Sequence, residues 1–278
     1  MQKIIVTADD YGMCDIVDKA IDAGIENGFI TTTNVMLNMA SLENAKTLRL
    51  RYPNISVGIH WNVTTGSPVL SPYEVPSLVQ ENGAFWSLKD FKKRYSKKLI
   101  NPAELEKELE AQTNLFESIL GTADYWNTHE NSALHTKAFS VFAKVAKKHG
   151  ILATRTFQRV YYDKMNLGIK KNIREFLVRN FFEYWFSKIR KDFVMPCARV
   201  VSFGKISKTK NDILLNAILT DGRDNIEVVF HPATSADHVY FGNISTERVK
   251  EYEFVSSKCV LDAYLNRGIK FVNFSQLS

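Results

Sequence analysis

The sequence predicts an α/β protein, a single-domain (β/α) TIM-like barrel that is distorted or incomplete. Three observations lead there. Short apolar, β-branched runs recur along the chain, each followed by a longer segment with apolar residues at 3.6-residue spacing. Repeated strand-then-helix units make a parallel sheet covered by helices. About six or seven such units across the 278 residues fit a closed or nearly closed barrel. A doubly wound open sheet is the competing arrangement, but no Gly-rich phosphate loop follows the first strand.

The elements follow in order. Ile4–Ala8 is the first strand, and Ile16, Val17, Ala20, Ile21 and Ile25 mark the first helix. Thr31–Leu37 is β-branched and extended. Ser41 then stands as an N-cap for a helix over Leu42–Leu50. Ile55–His60 is the third strand. Residues 61–101, with Pro68, Pro72, Pro76 and Gly83, read as a mostly irregular excursion long enough to build a site. A helix over Pro102–Leu120 opens on proline at its first turn. Tyr125–His129 is a strand, His135–Lys148 a helix and Ile151–Thr154 another strand. Ile226–His231, a helix over Thr246–Asn266 and a closing strand over Ile269–Asn273 complete the pattern. No linker or internal repeat divides residues 1–278.

Composition is that of an ordinary globular protein, 45% apolar and 24% charged. Met1-Gln2-Lys3 passes directly into a strand, so no signal peptide is expected, nor any membrane span. Cys14, Cys197 and Cys259 lack metal-type spacing and fit thiols in a cytoplasmic protein. The net charge of +6 is uneven, with 14 Lys or Arg against 4 Asp or Glu between Arg155 and Lys210. Phe176, Phe181, Phe182, Tyr184, Trp185 and Phe186 crowd one expected helix there. An anionic partner is one reading. A barrel-packing or homo-oligomer interface, with Lys and Arg stems along apolar surface, is the other. No nucleic-acid motif accompanies the stretch, so no nucleic-acid partner is expected.

Chemistry collects at the strand ends. Asp9 and Asp10 end the first strand, Asn38 follows the second, and His60 ends the third. His129 ends the next, Arg155 follows the Ile151 strand, and His231 ends the Ile226 strand. In parallel β/α folds these positions converge on one face. Taken singly, Asp-Asp before a helix can be a cap with a first-turn charge, and a strand-end histidine can be structural. Taken together, two imidazoles and a carboxylate make a half-shell for a divalent metal. A second carboxylate could deprotonate water and a further histidine could protonate a leaving group. That inventory suits metal-assisted hydrolysis, and no motif for an organic cofactor is present.

Thr7-Ala8-Asp9-Asp10-Tyr11-Gly12, the strand Thr31–Met36, the segment Val57–Gly66 with His60-Trp61-Asn62, and Val229-Phe230-His231-Pro232 resemble the YdjC-like carbohydrate deacetylases, a group that includes chitooligosaccharide deacetylases. The resemblance runs in order over nearly the whole chain, through the Arg248–Glu251 helix to Gly268-Ile269. It implies a TIM-barrel-like fold and removal of N-acetyl groups from amino sugars or short N-acetylglucosamine oligosaccharides. It implies Mg²⁺ or Zn²⁺ held by Asp10, His60 and His129, with Asp9 as general base, Arg155 positioning Asp9 or substrate, and His231 as general acid.

One segment departs from that pattern. His129 is present, but Asn127 stands where an acid is usual and Asn131 where another histidine is common. His135 either replaces the missing imidazole or begins the next helix. Trp61, Trp86, Phe85 and Tyr73 are candidates for stacking on sugar faces, or simply pack the excursion onto the barrel. Trp61, Asn38 and Trp86 are the expected substrate-binding residues. Two other functions compete: a metal hydrolase of another bond, such as a phosphoester, and a barrel that binds carbohydrate without turning it over. The single Arg155 among the strand ends argues against a phosphate-centred site.

Overall fold

The computed structural model describes residues 1–134, 136–156, 158, 160, 191–201 and 211–277. The chain runs β1 (Lys3–Tyr11), α1 (Asp15–Glu26), β2 (Thr32–Val35), α2 (Leu42–Ala45), α3 (Leu48–Arg51), β3 (Ser56–Trp61), α4 (Leu88–Ser96), α5 (Pro102–Leu120), β4 (Trp126–Thr128) and α6 (Thr136–Lys148). It continues through β5 (Ala198–Val201), α7 (Asn211–Asp221), β6 (Ile226–Phe230), α8 (His238–Phe241), α9 (Ser245–Val255), α10 (Lys258–Asn266) and β7 (Lys270–Val272). The strands hydrogen-bond in the order β4-β3-β2-β1-β6-β5, with β7 on β1. β1 pairs in parallel with β6 and β7, β3 with β4, and β5 with β6. The path has two ends, β4 and β5, so the described strands form the incomplete version of the expected (β/α) sheet. β1, β3 and β6 are buried from end to end apart from Lys3, as parallel strands covered on both faces must be.

The described residues fall into two compact units. One comprises residues 1–9, 19–32 and 153–278, the other residues 10–18 and 33–152. The first is centred on Phe29, which meets Phe230, Phe254, Tyr264 and Phe271 edge-on at 5.2–5.9 Å. Here Thr31 N–H donates to Val6 O, and Thr31 Oγ1 donates to Val272 O at 2.7 Å. The second is centred on Trp61, packed against Trp126 at 5.3 Å and Phe142 at 5.8 Å. There Gly58 leaves room for Tyr125, whose ring carbon would lie 2.4 Å from a Cβ at that position. Helix α5 buries Leu105, Leu109, Phe116 and Leu120 along one stripe. It is capped by Asn101, whose side chain accepts from Ala103 N–H, with Pro102 at its first position.

Several elements differ from expectation. Ser41 does not cap a long helix, because its hydroxyl donates to Asp18 Oδ2 instead. The 42–50 segment accordingly breaks into α2 and α3 around Thr47. The 151–154 segment makes one bridge, Ala153 with Val194, rather than a strand. The last long helix breaks at Ser256-Ser257. Ser257 is extended, and Ser256 Oγ turns back onto Tyr252 O, the local competition that makes serine a poor helix-interior residue. The 61–101 excursion contains α4, capped by Ser87 Oγ on Asp90 N–H. Strand β5 and helix α7 had no clear signal. The aromatic segment 176–186, and with it the grounds for a homo-oligomer, lies outside the described residues. No described helix is long and apolar enough to cross a membrane.

Candidate metal centre and its neighbours

In the second unit, Asp10, His60 and His129 present one ligand atom each, all within 4.8 Å of one another. His60 Nε2 lies 3.2 Å and His129 Nδ1 3.0 Å from the same oxygen, Asp10 Oδ1. The rings are nearly perpendicular, at 79° with centroids 5.5 Å apart. His60 is held from behind by Asn127, its register partner across the β3–β4 ladder, whose Oδ1 is 2.5 Å from His60 Nδ1. Asp10 sits at φ 78°, in the left-handed region rarely used by residues with a Cβ. Its backbone N–H donates to Asn34 Oδ1 at 3.4 Å, and Asn34 Nδ2 donates to Tyr125 Oη at 3.1 Å. The turn beyond is fixed by Gly12, whose N–H donates to Asp18 Oδ1 at 2.7 Å. At φ +87° and with Met36 O only 2.8 Å from an added Cβ, that position admits glycine alone. Directly after His129, Glu130 and Asn131 are also left-handed, at φ 52° and 54°. Three non-glycine residues in rare backbone conformations therefore flank or form the triad, the clustering expected where geometry is held for function.

In the first unit, Asp9 is buried and gripped by Arg155. Nη1 and Nη2 donate to its two oxygens at 2.7 Å each. Arg155 Nε in turn donates to Glu227 at 3.0 and 3.1 Å. His231 Nε2 is 3.6 Å from Asp9 Oδ2, and its backbone N–H donates to buried Glu251 at 2.5 Å. The guanidinium thus lies between two carboxylates, a fork geometry lysine cannot reproduce.

The expected substrate-binding residues fare differently. Trp61 is completely buried. Its indole N–H donates to Thr113 Oγ1 at 3.1 Å and its rings lie in the aromatic core, so it presents no face to a sugar. Asn38 donates to Thr65 O at 3.3 Å and Ser67 O at 2.8 Å and accepts from Asn62 Nδ2 at 3.1 Å, which fastens the 62–67 loop. Trp86 is partly exposed, with Arg94 over its ring at 4.1 Å and its N–H on Ser77 O. Phe85 is buried, while Tyr73 is 94% exposed.

Sequence reasoning missed Glu227, Asn34, Asp18 and Glu108. Glu227 had a signal, an acid inside the apolar run Ile226–Phe230. Glu108 is buried on α5 and accepts from Val69 N–H, Leu70 N–H and Gln112 Nε2 at 2.8–3.1 Å. Burial pushes its carboxyl above the usual range, against the pull of those hydrogen bonds.

Fold and site together define a parallel α/β protein with a carboxylate–imidazole cluster at its strand ends. A family model described as YdjC-like protein matches residues 3–266, and the chain belongs to that family. A carbohydrate deacetylase of Thermoanaerobacter pseudethanolicus is 25% identical over 283 residues, covering 100% of each chain. One of Clostridium beijerinckii is 26% identical over 99% of this chain and 100% of the relative. A Xenopus laevis carbohydrate deacetylase is 33% identical over 155 residues, 55% of this chain and half of the relative's length. The crystal structure of an Enterococcus faecalis V583 protein superposes with a TM-score of 0.79 at 24% identity, covering 98% of this chain and 97% of that one, and has the same fold.

Proposed function

We propose that the chain is a metal-dependent carbohydrate deacetylase that hydrolyses the acetamide of an amino sugar or a short N-acetylglucosamine oligosaccharide. The observation that carries this reading is the Asp10–His60–His129 triad, and the relatives named carbohydrate deacetylase support it. The donor set fits a divalent cation. It offers one carboxylate oxygen and two imidazole nitrogens, and a hydrogen bond from His60 Nδ1 to Asn127 Oδ1 orients His60. Two imidazoles favour Zn²⁺ over Mg²⁺, which prefers oxygen. A cation there supplies a Lewis acid that polarises the acetamide carbonyl and makes water a better nucleophile at neutral pH.

Asp9 is the general base. It is the covalent neighbour of Asp10, and Arg155 aims it by a two-point grip. It takes a proton from the attacking water as the carbonyl becomes tetrahedral. His231 is the general acid, delivering a proton to the amine nitrogen as the C–N bond breaks, so that acetate and a free amino sugar leave. The test is acetate release from N-acetylglucosamine oligomers. Full activity after chelation, or in Asp10→Ala, would sink the reading.

A further inference from the structure

The hydrogen bond between Asn127 and His60 has a consequence that rests on the metal reading above. Both residues are buried, and Asn127 Oδ1 faces His60 Nδ1. A carbonyl oxygen accepts and never donates, so this contact places the imidazole proton on Nδ1. Nε2 then carries the lone pair and faces Asp10 Oδ1, where His129 Nδ1 also converges. Thr128 and His129 follow Asn127 directly in the chain, so the residue that orients one imidazole is anchored two positions from the other.

We propose that Asn127 is a positioning residue that selects the metal-binding tautomer of His60 and, being neutral, sets a weaker metal affinity than a carboxylate at the same place would. The amide supplies the geometry of a ligand-orienting partner without its charge. A carboxylate would make a stronger, charge-assisted bond to the same N–H and leave Nε2 richer in electrons. The site is thereby tuned towards exchange of its cation rather than permanent retention.

Zn²⁺ titrated against a competing chelator into wild type, Asn127→Ala and Asn127→Asp tests this, with the His60 side-chain NMR signals recorded on the same samples. The Ala variant is expected to bind Zn²⁺ about 10–100-fold more weakly and to lose the protected Nδ1–H signal. The nearly isosteric Asp variant is expected to keep that signal and to bind about tenfold or more tightly than wild type. If the Ala variant does not fold, the Asp variant alone decides. Wild-type binding with no tightening in Asn127→Asp overturns this inference and leaves the metal site standing. Absence of Zn²⁺ binding in wild type overturns both.

Discussion

Glu130 is an exposed residue at φ 52°, and for an L-residue that conformation costs roughly 1–2 kcal/mol. Glycine pays no such steric cost. Glu130→Gly should therefore raise stability by up to about 1 kcal/mol in urea unfolding, once glycine's extra unfolded-state entropy is subtracted. An unchanged or lowered midpoint would mean that the side chain contributes more than its backbone conformation costs. Arg155 is the opposite case. Arg155→Ala leaves Asp9 and Glu227 as buried carboxylates without their cation, which should cost about 3–5 kcal/mol. Arg155→Lys keeps the charge but not the fork. It should fold and lose turnover far more than substrate affinity, which a kcat against KM comparison on N-acetylglucosamine oligomers would read. The strand-end positions were legible in the sequence, because parallel topology alone sends His60, His129 and His231 to one end of their strands. Asn34 and Glu108 were not, because nothing local distinguishes an asparagine or glutamate that will hydrogen-bond across the fold from one facing water. Trp61 misled for a related reason. It follows His60 in the chain, but alternation along β3 turns it into the core.

At the scale of elements, α5 shows how a buried polar residue organises an excursion. Glu108 ties the backbone at Val69 and Leu70 to the helix, so the loop after β3 is anchored through one carboxyl. Because burial raises its folded-state pKa, the folded protein holds this proton more tightly than the unfolded chain does. Stability from this group is therefore greatest below the unfolded carboxylate pKa of about 4.3. It declines as pH rises towards the raised folded value. Glu108→Gln removes the titration but turns an amide N–H₂ towards a backbone donor, a penalty that does not depend on pH. The stability gap between wild type and Glu108→Gln should thus narrow as pH is raised from about 4 to 7. Urea melts at those two values would read it, and a gap that widens would contradict the assignment. The strands other than β5, and α5, were readable because apolar periodicity and the Asn101-Pro102 start are local signals. The breaks at Thr47 and Ser256-Ser257 were not, since they depend on where a hydroxyl finds its partner.

For the whole molecule, the arrangement of the triad determines what a bound cation can stabilise. Asp10, His60 and His129 belong to one compact unit, assembled from residues 10–18 and 33–152. Any unfolding that separates these segments releases the cation. A cation that binds only the folded state stabilises it by RT ln(1 + [L]/Kd), or about 2.7 kcal/mol at a hundred times Kd. For a chain of this length that is a rise of roughly 5 °C in the thermal midpoint. Zn²⁺ at that excess should produce such a shift, a chelator should reverse it, and His60→Ala should abolish it. Hydrogen exchange locates the effect. Amides of β3, β4 and the Asp10–Asp18 segment should slow on Zn²⁺ addition. Amides of residues 211–277 that exchange by local opening should not, because such openings leave the triad intact. A midpoint shift that persists in His60→Ala would place the stabilising cation elsewhere and remove the support that the triad gives to a metal-dependent reaction.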